Sequence, residues 1–171
     1  MYLRSRPLRK GLGIIWDWAR RHKAVLITLV VLLGVDRITK RLTLVFLENK
    51  DILLAPFLHL RYVQNTGAAF GMMQGGNLIL IIVSLLIIAY LLKSWKEFCS
   101  MGPLVKWGLV LILGGALGNL YDRITLGFVV DFIDLRVWPV FNAADSFITV
   151  GGVMLAFALL FSKKAPIQEE K

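Results

Sequence analysis

The run Ala24-Val25-Leu26-Ile27-Thr28-Leu29-Val30-Val31-Leu32-Leu33-Gly34-Val35, followed at once by Asp36-Arg37-Ile38-Thr39-Lys40, decides how this chain is read. At about 1.5 Å per residue the first twelve residues rise about 18 Å, more than half of a hydrocarbon core about 30 Å thick. A helix entering near Lys23 therefore carries Asp36 past the midplane, and its outer part is polar. Placing an acid at such depth costs about 2.5–3.5 kcal/mol on insertion scales. The opposite charges of Asp36 and Lys40, four residues apart, offer a local way to reduce that cost.

Three further apolar stretches follow, at about 77–92, 104–121 and 146–161. Each falls short of the roughly 20 residues of an ideal crossing, so the count of four rests on their joint pattern. Composition agrees: of 171 residues 57% are hydrophobic and 18% charged, with a mean hydropathy of +0.70, whereas soluble domains reach about 45–50% apolar even with glycine counted. The expected fold is membrane all-α, a four-transmembrane-helix bundle over residues 24–161. Residues 1–23 form a basic arm, read as retained because no small-residue cleavage site follows the apolar run. Residues 162–171 form a polar tail.

The longest segment between spans, residues 45–76, contains Phe57-Leu58-His59-Leu60-Arg61-Tyr62-Val63, whose loose alternation predicts a short strand. Asn65-Thr66-Gly67 reads as the turn after it. Gly108, Gly114, Gly115, Ala116 and Gly118 in the third span, with Gly151, Gly152 and Ala156 in the fourth, predict close helix approach there.

The net charge of +9 is distributed asymmetrically. Residues 1–23, 93–106 and 162–171 hold 13 Lys+Arg against 4 Asp+Glu, and the remainder holds 7 against 7. The positive-inside rule then places both termini and the loop near Lys93 in the cytoplasm. Basic residues flanking apolar runs are topogenic, which excludes nucleic acid as a partner. One cysteine, Cys99, and two histidines leave no material for a disulfide or a cysteine-built zinc cluster, and no metal or organic cofactor is expected.

The acids Asp36, Asp122, Asp131, Asp134 and Asp145 all fall at or just inside the outer face. Capping and ion pairing are the commonest roles for such residues: Asp145 precedes an apolar run as an N-cap would, and Asp122 stands beside Arg123 as an ion-pair partner would. Asp131 resists this reading, because Gly127-Phe128-Val129-Val130-Asp131-Phe132-Ile133 is strand-like and offers no cap to make. Asp145 follows the small, polar Asn142-Ala143-Ala144. If the third and fourth spans pack at their outer ends, the two carboxyls return to one site. Two close carboxyls in a poorly solvated site share a proton, one serving as base toward water and the other as acid, which is peptide hydrolysis of the aspartic type. Asp145, near the positive end of a helix, is the expected ionised partner, with Asp131 holding the proton. Asp134, three positions on along a strand, is expected on the opposite face. Other hydrolytic devices are missing: there is no H-E-x-x-H, no G-x-S-x-G, and no lysine near an outer serine. A proton-coupled carrier using the same acids as a relay is the second reading, and an assembly protein with the acids as caps the third.

The blocks Asp36–Lys40, Asn65-Thr66-Gly67-Ala68-Ala69-Phe70, Gly118-Asn119-Leu120-Tyr121-Asp122-Arg123, Gly127–Phe132 and Phe141–Asp145, in this order, resemble those of the bacterial lipoprotein signal peptidases, signal peptidase II. The resemblance covers residues 24–161. It implies an intramembrane aspartic endopeptidase of the cell membrane that cleaves diacylglyceryl-modified prolipoproteins before the lipidated cysteine, with Asp131 and Asp145 as the dyad. It implies a supporting or substrate-binding shell of Asp36, Lys40, Asn65, Gly67, Asn119, Asp122, Arg123 and Asn142, and an extracytoplasmic β-cradle largely from residues 50–70. Lipid is the surrounding partner, no cofactor is used, and a monomer is expected. On their own spacing Asn119, Asp122 and Arg123 could equally hold a helix against a loop, and Asn65 and Asn142 could be turn residues.

Overall fold

A computed structural model describes residues 22–67 and 76–161. The basic arm (all but its last two residues), Ala68, Ala69 and Phe70 of the second motif block, and the polar tail lie outside these residues. In chain order the elements are α1 (Lys23–Phe46), β1 (Ile52–Ala55), β2 (Leu58–Asn65), α2 (Asn77–Lys93), α3 (Trp95–Ser100), α4 (Pro103–Thr125), β3 (Val129–Asp134) and α5 (Ala143–Phe161). The architecture is mostly helical with one small antiparallel sheet, as expected. The short α3, within the loop between the second and third spans, was not foreseen.

Helix α4 is the hub, with α1, α2 and α5 all packed against it. Proline at its first turn suits a position whose N–H has no intrahelical partner. At its other end Gly127 takes φ 83°, the left-handed conformation that closes a helix and that a side chain would oppose. Between them Val105, Leu109, Val110 and Leu113 are almost wholly inaccessible. Gly108, Gly114, Gly115, Gly118 and Gly151 do what their spacing predicts, whereas Gly152 faces open space. A Cβ on Gly115 would stand 2.3 Å from the carbonyl oxygen of Ala144, and one on Gly151 would stand 2.5 Å from that of Gly108. Helix α1 meets α4 in the same way, since a Cβ on Gly118 would lie 2.7 Å from a carboxylate oxygen of Asp36.

Away from these seams the helices are apolar to the outside: Val30, Leu86, Val153 and Leu160 are 70%, 65%, 63% and 78% exposed. Surfaces of this kind belong against lipid. Among the described residues α4 and α5 are long and apolar enough to cross a membrane. Helix α2 has 17 residues, and α1, at 24 residues, carries its charged block in the C-terminal half. Inside α1 the hydroxyls of Thr39 and Thr43 donate back to the carbonyls of Val35 and Thr39, at 2.8 and 3.0 Å, and so stay satisfied without water.

The sheet order is β1-β2-β3, both pairs antiparallel. The predicted strand at 57–63 is β2, shifted by one residue at its start and two at its end. The apolar stretch around Asp131 is β3, and it places Asp131 opposite Val63 and Val129 opposite Asn65. The chain then turns at Arg136 (φ 67°), whose N–H is accepted by the Asp134 carboxylate at 2.8 Å. It returns so that Phe141 pairs with Ile133. This return brings Asn142 and the start of α5 alongside Asp131.

Candidate active site

Two layers of polar side chains occupy the end of the bundle where the sheet sits. The deeper layer is ionic. Asp36 and Asp122 are 0% and 1% exposed. Lys40 Nζ lies 3.0 Å from Asp36 Oδ1 and 2.7 Å from Asp122 Oδ2, which confirms the expected i, i+4 pair. Arg37 supplies the second cation, binding both carboxylates and donating to the carbonyl oxygen of Gly118 at 3.1 Å. Its guanidinium also lies 4.6 Å from the centre of the Tyr121 ring, a favourable cation–aromatic distance. Two acids and two bases make the layer neutral, and neutrality is what allows burial. Asp122 also accepts the N–H of Val130 at 3.3 Å, fixing the start of β3.

The expected pairing of Asp122 with Arg123 is therefore corrected. Consecutive helical residues point about 100° apart, so Asp122 turns to α1 while Arg123 turns to the β2 turn, where it donates to the Gly67 carbonyl oxygen at 3.4 Å. Arg37 is the residue that sequence reasoning missed. The signal was charge balance, because two buried acids need two cations and Lys40 is only one.

The shallower layer holds Asp131, 1% exposed, and Asp145, half-buried. Three asparagines hold them. Asn65 accepts the N–H of Gly67 at 3.0 Å, an Asx turn, and so aims its NH2 at Asp131 Oδ2, 2.8 Å away. Asn142 accepts the N–H of Asp145 at 3.0 Å and donates to Asp131 Oδ1 at 2.6 Å and Asn119 Oδ1 at 3.1 Å. Asn119 accepts from Lys40 Nζ at 2.9 Å and donates to Asp145 Oδ1 at 2.7 Å. In each amide an unambiguous donor claims the oxygen, and the NH2 then faces a carboxylate. The turn role and the site role of Asn65 and Asn142 are thus one role.

Asp145 is not the N-cap of α5. Asn142 is, and the Asp145 carboxylate reaches back to the Asn142 N–H at 3.1 Å, forming a reciprocal capping box. The carboxylate sits in the first turn, where the helix dipole favours negative charge. Asp134 has turned away, as its offset predicts, and pairs with Arg61 at 2.9 Å. No group of three or more metal-ligating side chains occurs among the described residues.

The proton affinity of Asp131 follows from this setting. Burial is the largest cause and the neighbouring Asp145 charge the next, and together they push its carboxyl up to about 7. The hydrogen bonds from Asn65 and Asn142 and the Lys40 charge act the other way. A carboxyl that keeps its proton near neutrality, beside a second carboxyl at a helix N-terminus, is equipped to donate that proton.

The family described as signal peptidase (SPase) II matches residues 27–161, which include every element described except the first four residues of α1. The chain belongs to the signal peptidase II family. Curated relatives agree over most of their length. The lipoprotein signal peptidase of Syntrophomonas wolfei is 48% identical over 139 residues, covering 80% of this chain and 91% of that protein. That of Pelotomaculum thermopropionicum is 39% identical over 147 residues, covering 85% and 97%. A bacterial membrane enzyme solved by the in meso method at 2.3 Å resolution shares the fold with a TM-score of 0.75 and 27% identity, over 87% of this chain and 94% of that one. Membership makes the chain a signal peptidase II, a protease of lipoprotein processing, and sets the carrier reading aside.

Proposed function

We propose that this protein is an intramembrane aspartic endopeptidase that removes the signal peptide from diacylglyceryl-modified prolipoproteins, cutting just before the lipidated cysteine. The observation that carries the proposal is the pairing of Asp131 with Asp145 through a shared asparagine, Asn142, each acid held by amide donors on both oxygens. Water between them loses a proton to the Asp145 carboxylate as it attacks the scissile carbonyl carbon. Asp131 gives its proton to the carbonyl oxygen, and a tetrahedral diol results. Collapse of the diol returns a proton to Asp131, while Asp145 passes its newly gained proton to the leaving amine, and both acids recover their starting states.

In this reading α1, α2, α4 and α5 each cross the membrane, residues 1–23 and 162–171 are cytoplasmic, and segment 45–76 with β3 stands on the outer face. Asp36, Lys40, Asn65, Gly67, Asn119, Asp122, Arg123 and Asn142 form the shell that supports the dyad or binds substrate. A lipid-anchored substrate presents its scissile bond at fixed depth, so a site at that depth gains proximity without a soluble encounter.

Purified protein in vesicles, given a prolipoprotein with and without its diacylglyceryl group, tests the function. Cleavage before the modified cysteine of the lipidated form alone is expected. Cleavage of neither form, with acid-dependent flux across the vesicle, would overturn it.

A further inference from the structure

Lys40 is 2% exposed, and three oxygens lie within 3.0 Å of its Nζ: Asp36 Oδ1, Asp122 Oδ2 and Asn119 Oδ1. An ammonium has three N–H donors and no acceptor; the contact to Asn119 is a hydrogen bond, and that to Asp36 Oδ1 is an ion pair without hydrogen-bond geometry. Two of them anchor it in the neutral ionic layer. The third crosses to the dyad layer and ends on an amide whose other end donates to Asp145 at 2.7 Å.

An asparagine amide can turn over, exchanging donor for acceptor at little steric cost. A turned Asn119 would set its oxygen against the Asp145 carboxylate, acceptor against acceptor. The Asn142 NH2 also faces Asn119 Oδ1, at 3.1 Å, but it is itself an amide within the dyad layer. Lys40 is the group whose donor polarity cannot invert and which is held from outside that layer.

We propose that Lys40 is a positioning residue for the hydrolysis: its charged amine, fixed by Asp36 and Asp122, locks the Asn119 amide so that its NH2 holds Asp145 in the geometry of the base. The proposal rests on the dyad reading of Asp131 and Asp145. The charged groups around this link are Asp36 and Arg37 on α1, Asp122 and Arg123 on α4, Asp131 on β3 and Asp145 on α5. With Arg37 committed to the two acids and Arg123 to the Gly67 turn, Lys40 is the cation joined to a dyad member through a single amide.

The test is a double-mutant cycle on lipidated prolipoprotein cleavage, with Lys40→Gln, Asn119→Ala and the pair, each compared at equal folded concentration. Lys40→Gln is expected to lower kcat by about 100-fold, the scale of a misplaced catalytic group, with KM changed less than about twofold. The acidic limb of its pH profile moves to higher pH, because a cation that favours carboxylate ionisation has gone. In the Asn119→Ala background the same change adds less than about threefold, because the link is already cut. Full additivity with an unmoved pH profile would overturn the proposal.

Should Lys40→Gln alone fail to fold, Asp36→Asn/Lys40→Gln is compared with Asp36→Asn to keep the charge balanced. Failure of that pair to fold assigns Lys40 a purely structural role and also overturns the proposal. Asp145→Asn separates the two readings: parental activity there rejects the dyad, whereas an inactive Asp145→Asn beside additive Lys40 effects rejects the positioning role alone.

Discussion

Asp131 and Asp145 differ less in chemistry than in what surrounds them. Asp131 sits in a strand with apolar neighbours Val129 and Val130 fully buried, and its proton is held up to about pH 7. If that proton serves as the acid, activity falls as pH rises through about 7, giving an alkaline limb there. Asn65 donates to Asp131 and favours its ionised form. Replacing Asn65 with Ala is therefore expected to move the alkaline limb upward by about one pH unit, the scale of one charge-assisted hydrogen bond. A limb that stays in place, or moves down, in the pH dependence of kcat/KM contradicts this account. Asp131 stood out in the sequence because an acid in an apolar strand with no cap to make is costly without cause, and Asp145 because it follows small, polar residues at a helix end that could return beside it. Arg37 did not, because nothing local says that Asp122, 85 residues away, needs a second cation.

Among the elements, the seam between α4 and α5 sets the site, because it fixes where Asn119 and Asp145 stand relative to each other. Gly115→Ala drives a Cβ toward the Ala144 carbonyl oxygen. It should cost about 1–3 kcal/mol of stability, seen as a lower Tm in detergent, with kcat reduced in step. Gly152 has open space around its would-be Cβ, and Gly152→Ala should leave Tm unchanged or slightly higher. Equal losses at both positions would show that the seam is not tight. The small-residue spacing made this contact legible in advance, and alternation made β2 legible. The cap of α5 was misplaced by three residues because an Asn-x-x-Asp capping box offers two polar candidates, and the bond between them decides which is the cap. Helix α3 was missed because Trp95–Ser100 is too short to carry a periodic signal.

For the whole molecule, charge asymmetry and one charged block buried at one end support the proposal of four crossings with the site outward. Val137, on the loop after β3, is 91% exposed. In right-side-out vesicles a Cys99→Ser/Val137→Cys protein should react with a membrane-impermeant maleimide, whereas the parent Cys99 should react only after permeabilisation. The reverse pattern would invert the topology. The central claim, that the Asp131–Asp145 pair performs the hydrolysis, is tested most directly by cleavage of a diacylglyceryl-modified prolipoprotein with folded Asp131→Asn and Asp145→Asn enzymes. Each is expected to lose about 10²–10⁴-fold in kcat, the range of a general acid or base, with uncleaved lipidated precursor accumulating. Parental cleavage rates in either variant would contradict it.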